Sequence, residues 1–546
     1  MQLTWVGRGL TAMGRSLIGF TATAMALIAG TAAQAQGFPP PYPDAVAARF
    51  PAPALRFDAP VFAPQREHFT TDDELAAQLS AVQRSAAPSA RIELLSPGTS
   101  QQGTAIRALR FSREPVVSGA GSARPTVLLI GQQHGDEPAG AEALLLLARE
   151  LASTVTGAAD LAAVLEHVNV IVLPRANPDG AELARRVTSN GIDINRDHLL
   201  LRTPEAQALA ALVQRYRPNV VVDAHEHTVV GRYLEKFNAV QRNDMLLQYA
   251  MVANLPEALG RASETWFRQP LLQALAEAGL SSEWYYTNPV TPGDLRLSMG
   301  GVQPDTSRNV QGLRHAISFL LESRGVGIGR LHLERRVHSQ LVAMRSILRS
   351  AAAHADELIA LQRAADAEVS AAACQGQVVV VAATTPTRRE LLMLDPVTGA
   401  DKAVPVQWDS ALQLRALATR ARPCGYWLAA SATAAAQRLR ALGLQVEVLS
   451  APAELHAEAW VERTRLEMNR PDVRGTAADG EARMLRVEVD LLARKLSAPA
   501  GSFYVPLNQP LAHIAVAVFE PDTQNSWFAN RLLPGLEVAM RVLQRP

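Results

Sequence analysis

Hydrophobic residues in the first two thirds of the chain occur in short, nearly continuous runs that alternate with longer stretches of helical spacing. Runs of Val, Ile and Leu without polar interruption predict strands that are buried on both faces. Strands that alternate with helices form a mixed, mainly parallel sheet with helices on each side, so we expect a three-layer α/β/α domain. The predicted strands are 126–130, 168–173, 219–223 and 316–321, and the predicted helices are 139–153, 203–217 and 243–279.

Two further signals place the start of this domain near residue 71. Thr71 precedes Asp-Asp-Glu74, a pattern that predicts a capped helix N-terminus. Residues 91–95 and 104–111 flank a turn-rich segment and predict a hairpin at the edge of the sheet. We therefore assign 71–335 to this α/β/α domain and the Pro-rich segment 36–70 to an extended lead-in.

The C-terminal part of the chain has a different pattern. Residues 336–370 have helical spacing and are expected to link two domains, and 371–546 are expected to form a smaller mixed α/β domain of ordinary size. Its predicted elements are strands at 377–382 and 390–394 with a Thr/Pro turn between them, a strand at 425–428, a helix at 431–441 and a strand at 444–449.

The N-terminus has the pattern of a secretory signal peptide. Arg8 and Arg15 precede an apolar run over 16–30, and Ala33-Gln-Ala35 fits a cleavage site, so we expect residues 1–35 to be removed. The competing interpretation, a membrane anchor, needs about 20 apolar residues, and this run is shorter and interrupted by Thr and Gly. The expected location is therefore periplasmic or secreted, without a stable membrane anchor after cleavage.

Composition adds two constraints. The chain has 546 residues, 48% of them hydrophobic, and a formal net charge of +1, so nothing favours nucleic acid as a partner. Cys374 and Cys424 both lie in the C-terminal part. In an oxidising compartment they form either a disulfide or two buried thiols, and the sequence leaves both open.

Polar residues follow two of the predicted strands directly. His134 and Glu137 come after the strand at 126–130, and His225 comes after the strand at 219–223. Since parallel strands end at the same edge of a sheet, these side chains are expected to converge there. Two imidazoles and a carboxylate are suitable ligands for a catalytic Zn²⁺ ion, which keeps a fourth position open.

The order of several further motifs suggests a family. After His134 and Glu137 come Asn177-Pro-Asp-Gly180, then Arg186, Asp193-x-Asn195-Arg196, His225 and a strand-end Glu322. With these motifs, the chain from about residue 90 to about 335 resembles the zinc metallocarboxypeptidase family, of the carboxypeptidase A and B type.

This resemblance implies a function for each matching residue. It implies one Zn²⁺ held by His134, Glu137 and His225, with Asp193 orienting His134. It implies that Glu322 is the general base toward the water that zinc activates. The resemblance further implies that Arg186 polarises the scissile carbonyl, and that Asn195 and Arg196 bind the free C-terminal carboxylate of a peptide substrate.

The sequence departs from the digestive members of the family at two points. Asp136 stands where an auxiliary Arg is usual, and the family's mobile Tyr has no clear counterpart near 296–301. Tyr285 and Tyr286 are too far upstream to match it. The preferred C-terminal residue therefore cannot be read, although its pocket is expected within 298–305.

Three alternatives remain at this stage. Deacylases of the succinylglutamate desuccinylase and aspartoacylase type share part of the motif set, but the export signal and Glu322-Ser-Arg-Gly325 disfavour them. A murein-peptide amidase is intermediate, because the periplasm supplies crosslink peptides. A binding module without activity would need a lost ligand or base, and these positions are all present.

Overall fold

The computed structural model describes residues 41–85, 91–113, 124–153, 159–289, 291–470 and 483–545. The expected signal peptide at 1–35 lies outside these ranges. None of the helices within them combines the length and the apolar character that a membrane span requires.

The described chain contains strands and helices in the following order. The strands are β1 Arg91–Thr99, β2 Ala105–Ser112, β3 Thr126–Gly131, β4 Asn169–Leu173, β5 Val220–Thr228, β6 Met245–Tyr249, β7 Ser282–Trp284, β8 Tyr286–Thr287, β9 Arg296–Met299, β10 Ile317–Val326, β11 Gln377–Leu394, β12 Asp401–Ala421, β13 Gly425–Leu428, β14 Glu447–Val448, β15 Ala453–Asn469, β16 Arg483–Ala498, β17 Phe503–Pro506 and β18 Ala539–Val542. The α-helices are α1 Asp44–Ala47, α2 Asp72–Arg84, α3 Ala139–Ala152, α4 Ala159–Val164, α5 Pro178–Glu182, α6 Pro204–Tyr216, α7 Arg232–Phe237, α8 Glu257–Ala262, α9 Gln269–Glu277, α10 Ser307–Leu313, α11 Leu333–Ala353, α12 Ala355–Ala371, α13 Thr433–Ala441 and α14 Ala512–Phe519.

The central sheet has eight strands in the order β1-β2-β4-β3-β5-β10-β6-β7. Its four middle strands, β4, β3, β5 and β10, are mutually parallel. These are the four strands predicted from the apolar runs, and the hairpin β1–β2 extends the sheet at its edge. The mixed, mainly parallel sheet expected from the sequence is therefore present.

The two faces of the sheet belong to two separate hydrophobic clusters. Along β3, Val127 and Leu129 pack in one cluster, while Leu128 and Ile130 pack in the other. This alternation with a period of two places both faces in contact with helices, as a buried parallel strand requires. Helices α2, α3, α9 and α11 supply the first cluster, and α6, α13 and α14 supply the second. The domain thus has the three layers α/β/α.

One predicted helix is partly wrong. The stretch 243–279 was expected to be helical, but Met245–Tyr249 forms β6, which pairs antiparallel with β10. The run Met-Leu-Leu-Gln-Tyr is five residues long, and a short apolar run fits a buried strand as well as a helix segment. Helices follow only from Glu257 onward, with a π-helical segment at Ser263–Arg268.

The C-terminal region contains long antiparallel hairpins. The hairpin β11–β12 joins β9 and β8 in a four-stranded sheet, and β15–β16 belongs to a six-stranded sheet in the order β14-β17-β13-β18-β15-β16. The expected Thr/Pro turn is wrong, because Thr385 and Pro386 continue β11 opposite Ser410 and Asp409. In 444–449 the strand is reduced to Glu447–Val448.

This region is packed onto the central sheet. Ile514 and Val518 of α14 belong to the same cluster as Leu128 and Ile130 of β3. The helical character expected of 336–370 is present, and its first part, in α11, is a layer of the catalytic core as well as a connection. Cys374 and Cys424 form a disulfide between the end of the helical segment and β13. The division of the chain at 335 and 370 stays a prediction.

Candidate metal centre and active site

The register of β5 and β10 places two predicted site residues side by side. Glu322 and His225 are direct partners across this parallel pair. Neighbouring strands lie about 4.8 Å apart, and partners in register point to the same face of a sheet. The apolar residues that precede them on both strands are buried and fix this register, so the candidate base and a candidate ligand lie at one sheet edge.

The loop after β3 is held in place by the Asn177-Pro-Asp-Gly180 motif. The Asn177 side chain accepts a hydrogen bond from the Gly180 N–H at 2.9 Å and donates one to the Gln133 carbonyl at 3.2 Å. Gly135 packs so closely on this motif that an added Cβ would lie 2.0 Å from the Gly180 carbonyl carbon. The two glycines therefore allow the backbone contact that positions His134 and Glu137.

Three side chains converge at this edge. His134 Nδ1 lies 3.0 Å from Glu137 Oε1, and His225 Nδ1 lies 2.8 Å from Glu137 Oε2. The two Nδ1 atoms are 3.0 Å apart, and all three groups are buried. These are the three ligands predicted from the strand ends, and the structure brings them together.

Each imidazole is held from behind by a carboxylate. His134 Nε2 lies 3.0 Å from Asp193 Oδ1, and His225 Nε2 lies 2.8 Å from Asp223 Oδ2. Carboxylates in these positions favour the tautomer with the proton on Nε2, which leaves both Nδ1 lone pairs directed at the centre. Two inward lone pairs and a carboxylate form the donor set of a catalytic zinc site, so the residues fit Zn²⁺.

The electrostatics of the cluster favour positive charge at its centre. Burial favours the neutral form of Glu137, but the two imidazoles outweigh it and hold the pKa of this carboxyl well below its usual range. Burial likewise disfavours the charged form of His225, but Asp223 and Glu137 hold its pKa well above the ordinary value. The carboxylates thus stabilise a cation here, whether a proton or a metal ion.

Arg186, rather than its neighbour Arg185, reaches the cluster. Its Nη1 donates to Glu137 Oε1 at 3.2 Å, and its Nη2 donates to Asp193 Oδ2 at 2.8 Å. Arg185 is exposed. The guanidinium of Arg186 is therefore oriented by two carboxylates beside the metal donors.

The remaining predicted residues share one small cavity of about 80 Å³ with His134 and Arg186. Glu322, Asn195 and Arg196 all line it. The Asn195 side chain is oriented by its Oδ1, which accepts from the Ser307 N–H at 2.7 Å, and its Nδ2 lies 3.2 Å from His225 Nε2. The expected pocket segment contributes too, and the other residues that line the cavity are Tyr285, Thr287, Gly301, Gln303, Asp305, Thr306, Arg308, Leu320 and Gln524.

Sequence reasoning missed four residues of this site. Asp223 could have been found, because residues two apart on a strand share a face and Asp223 precedes His225 by two. Tyr285 reaches the cavity because β8 folds back onto β9, pairing Tyr286 with Met299. Arg308 and Gln524 carry no local signal, since the fold alone brings them to the cavity.

Residues 80–219 match the model of the zinc carboxypeptidase family, Peptidase_M14. The chain carries a zinc carboxypeptidase domain. Among its relatives, Carboxypeptidase 2 of Trichophyton equinum is 29% identical over 410 residues, which cover 75% of this chain and 74% of that protein. Carboxypeptidase 2 of Trichophyton rubrum is 28% identical over 420 residues, covering 77% of this chain and 76% of that protein.

Solved structures of metallocarboxypeptidases also resemble the carboxypeptidase domain, at low similarity. The metallo-carboxypeptidase from Burkholderia cenocepacia has 18% identity and a TM-score of 0.39, with 51% of this chain and 68% of that chain covered. The metallo-carboxypeptidase from Pseudomonas aeruginosa, solved in complex with (2-guanidinoethylmercapto)succinic acid, has 20% identity and a TM-score of 0.39, with 52% and 69% covered.

Proposed function

We propose that this protein is an exported zinc metallocarboxypeptidase that hydrolyses the C-terminal peptide bond of peptides. The observation that carries the proposal is the convergence of a complete set of groups in one place. The metal donors His134, Glu137 and His225 adjoin a cavity that Glu322 and Arg196 also line. A metal site, a carboxylate and a guanidinium together provide what hydrolysis at a peptide's charged end requires.

When bound, zinc supplies a Lewis acid that activates water and polarises the scissile carbonyl. Glu322 takes the proton of the attacking water and returns it to the amine that leaves. Arg186, fixed by Glu137 and Asp193, stabilises negative charge that develops on the carbonyl oxygen. Asn195 and Arg196 bind the terminal carboxylate, which places the last peptide bond at the metal.

Two observations support export. The pattern of residues 1–35 is typical of a secretory signal peptide. Cys374 and Cys424 are bonded, and disulfides persist in oxidising compartments. N-terminal sequencing of protein recovered outside the cytoplasm should begin at Gln36, and an uncleaved Met1 in exported protein would contradict this part of the proposal.

The activity is tested with purified, zinc-loaded protein and peptides blocked at the N-terminus. We expect single residues to disappear from the C-terminal end, as followed by mass spectrometry. Removal of zinc with a chelator should abolish this release, and added Zn²⁺ should restore it. Cleavage at internal bonds, or removal of the N-terminal blocking group instead, would contradict the proposal.

A further inference from the structure

Arg308 is a buried cation in the wall of the active-site cavity. It lies in α10, its side chain is 2% exposed, and it lines the cavity with Arg196 and Glu322. Its Nη2 donates to the Gly301 carbonyl at 2.7 Å, while its Nε has no partner. Among the described residues, no carboxylate lies within ion-pair distance of Arg308, although the charges of Asp305 and Glu322 stabilise it from farther away.

A buried guanidinium without an ion pair is costly, and Arg308 differs in this respect from Arg336 and Arg541. Burial lowers the pKa of Arg308 to about 10, so it still carries its charge at neutral pH. By contrast, Arg336 pairs with Glu226 at 2.8 Å and Arg541 pairs with Glu520 at 3.0 Å. Buried charges are normally paired, and a charge kept without a partner beside a cavity is expected to meet one in a ligand.

The residue two positions before Arg308 adds a second unpaired group to the same wall. Thr306 is 6% exposed, lines the cavity, and its hydroxyl has no partner in the structure. Asp305 is the acidic neighbour, but it accepts from Gln524 Nε2 at 3.3 Å and interacts favourably with the charges of both Arg308 and Arg470. This wall therefore presents donors that need acceptor oxygens.

The proposed function assigns the terminal carboxylate of the substrate to Asn195 and Arg196. The donors of Arg308 and Thr306 then remain for a second group on the same terminal residue. The cavity is small, at about 80 Å³, which favours a short side chain. A short side chain that offers acceptor oxygens and a negative charge is that of Asp or Glu.

We infer that this carboxypeptidase prefers peptides whose last residue is Glu or Asp, with Arg308 and Thr306 binding the side-chain carboxylate. The inference rests on the proposed function and specifies its substrate class. Arg308 is then a specificity-determining residue, and Thr306 supports it with a neutral hydrogen bond.

The test compares kcat/KM for N-blocked peptides that differ only in the last residue, which is Glu, Gln, Lys or Leu. Glu and Gln have nearly the same shape, so the ratio of kcat/KM for the Glu peptide to that for the Gln peptide measures the contribution of the negative charge. We expect Glu to exceed Gln by at least about 10-fold, because hydrogen bonds to charged groups are worth about 1.5–3 kcal/mol. Arg308→Met should remove this ratio by lowering the Glu value alone, and Thr306→Val should reduce it by about threefold, as for a neutral bond.

A matched control is Arg314→Met. Arg314 directly follows α10, and burial lowers its pKa to about 10 as well, but it donates to the Leu442 carbonyl outside the cavity. This variant should keep the wild-type ratio of Glu to Gln. If Arg308→Met fails to fold, the wild-type ratio and Thr306→Val still decide.

Each other outcome has a separate meaning. Equal cleavage of Glu and Gln peptides by the wild type overturns the inference, and so does a preference for Lys, which would make Asp305 the recognising group. Equal loss on all peptides in Arg308→Met also overturns it, because Arg308 would then bind the terminal carboxylate. If the zinc-loaded protein releases no residue from any of the four peptides, the proposed function itself fails.

Discussion

The catalytic sheet and the C-terminal hairpins contribute to the active site in different ways. In the sheet, Glu322 and His225 are neighbours because their buried strands are in register. In the hairpins β11–β12 and β15–β16, large apolar residues such as Leu417 and Leu466 are more than half exposed, at 59% and 58%. A buried parallel strand thus fixes the position of the residue at its end. The sequence pattern of these exposed hairpins gives no comparable indication of a functional site.

The C-terminal region nevertheless reaches the active site through packing. Gln524 lines the cavity, and Arg470 donates to the Arg196 carbonyl at 3.3 Å and to Asn530 Oδ1 at 2.8 Å. The fully buried Trp527 donates from its indole N–H to the Leu199 carbonyl at 3.0 Å. The sheet thus carries the candidate metal donors and Glu322, while the C-terminal region contacts the loop that carries Asn195 and Arg196.

The largest expected effect is a loss of turnover when Glu322, in β10 of the sheet, is replaced. Glu322→Gln keeps the shape of the side chain but cannot accept a proton, so turnover should fall by about 10²–10⁴-fold. Zinc content, measured on the same preparation, should stay at one per chain. The control Glu257→Gln changes an exposed helix residue and should leave kcat unchanged. A near-normal kcat in Glu322→Gln would show that another group is the base.

The next largest expected effect is a loss of stability when the Cys374–Cys424 disulfide is removed. The disulfide closes a separation of 50 residues, for which the loss of chain entropy corresponds to about 4 kcal/mol, with about 2–4 kcal/mol typically measured. Replacing Cys374 and Cys424 together by Ser should lower the midpoint of urea unfolding accordingly. Identical unfolding curves for the variant and the wild type would show that this crosslink contributes nothing to the stability.

A smaller loss of stability is expected from a substitution that fills the space between the loop after β3 and the Asn177–Gly180 motif. In Gly135→Ala the new Cβ would meet the backbone of Gly180, and such overpacking typically costs about 1–3 kcal/mol. Both the free energy of unfolding and zinc affinity should fall. Gly260→Ala is the control, since its Cβ would meet nothing within 4 Å, and it should not destabilise the protein. Unchanged zinc affinity in Gly135→Ala would contradict the assigned function of this contact.

The smallest effect tests the support that the C-terminal region gives. Arg470→Met removes the bond to the Arg196 carbonyl, so KM should rise by about 10-fold or less while kcat stays close to normal. Arg463→Met, on the exposed part of β15, should change neither constant. If kcat falls and KM stays constant in Arg470→Met, the C-terminal region acts on the chemical step rather than on substrate binding.

How far the sequence predicts this molecule depends on the range of the interactions involved. The buried strands and the positions of His134, Glu137 and His225 at their ends were predictable from local patterns, whereas the role expected of Glu322 came from the family resemblance. The strand at Met245–Tyr249 was misread because five apolar residues do not distinguish strand from helix.

Other features depend on pairing between distant segments. Tyr285 enters the cavity because β8 pairs with β9, and Gln524 enters it because the C-terminal region packs on the sheet. No local periodicity records such contacts. For the same reason the lengths of β11–β12 and β15–β16 could not be predicted, since a hairpin's extent depends on its partner strand.

The proposed function requires that the protein recognise the free carboxylate at the end of a peptide. It is tested most directly by comparing one peptide as its C-terminal acid and as its amide, with the wild type and with Arg196→Ala. A charge-assisted bond of about 1.5–3 kcal/mol predicts that the amide is cleaved at least about 10-fold more slowly, and that Arg196→Ala largely removes the difference. Equal cleavage of the acid and the amide by the wild type would contradict the carboxypeptidase assignment, even if one zinc ion is bound.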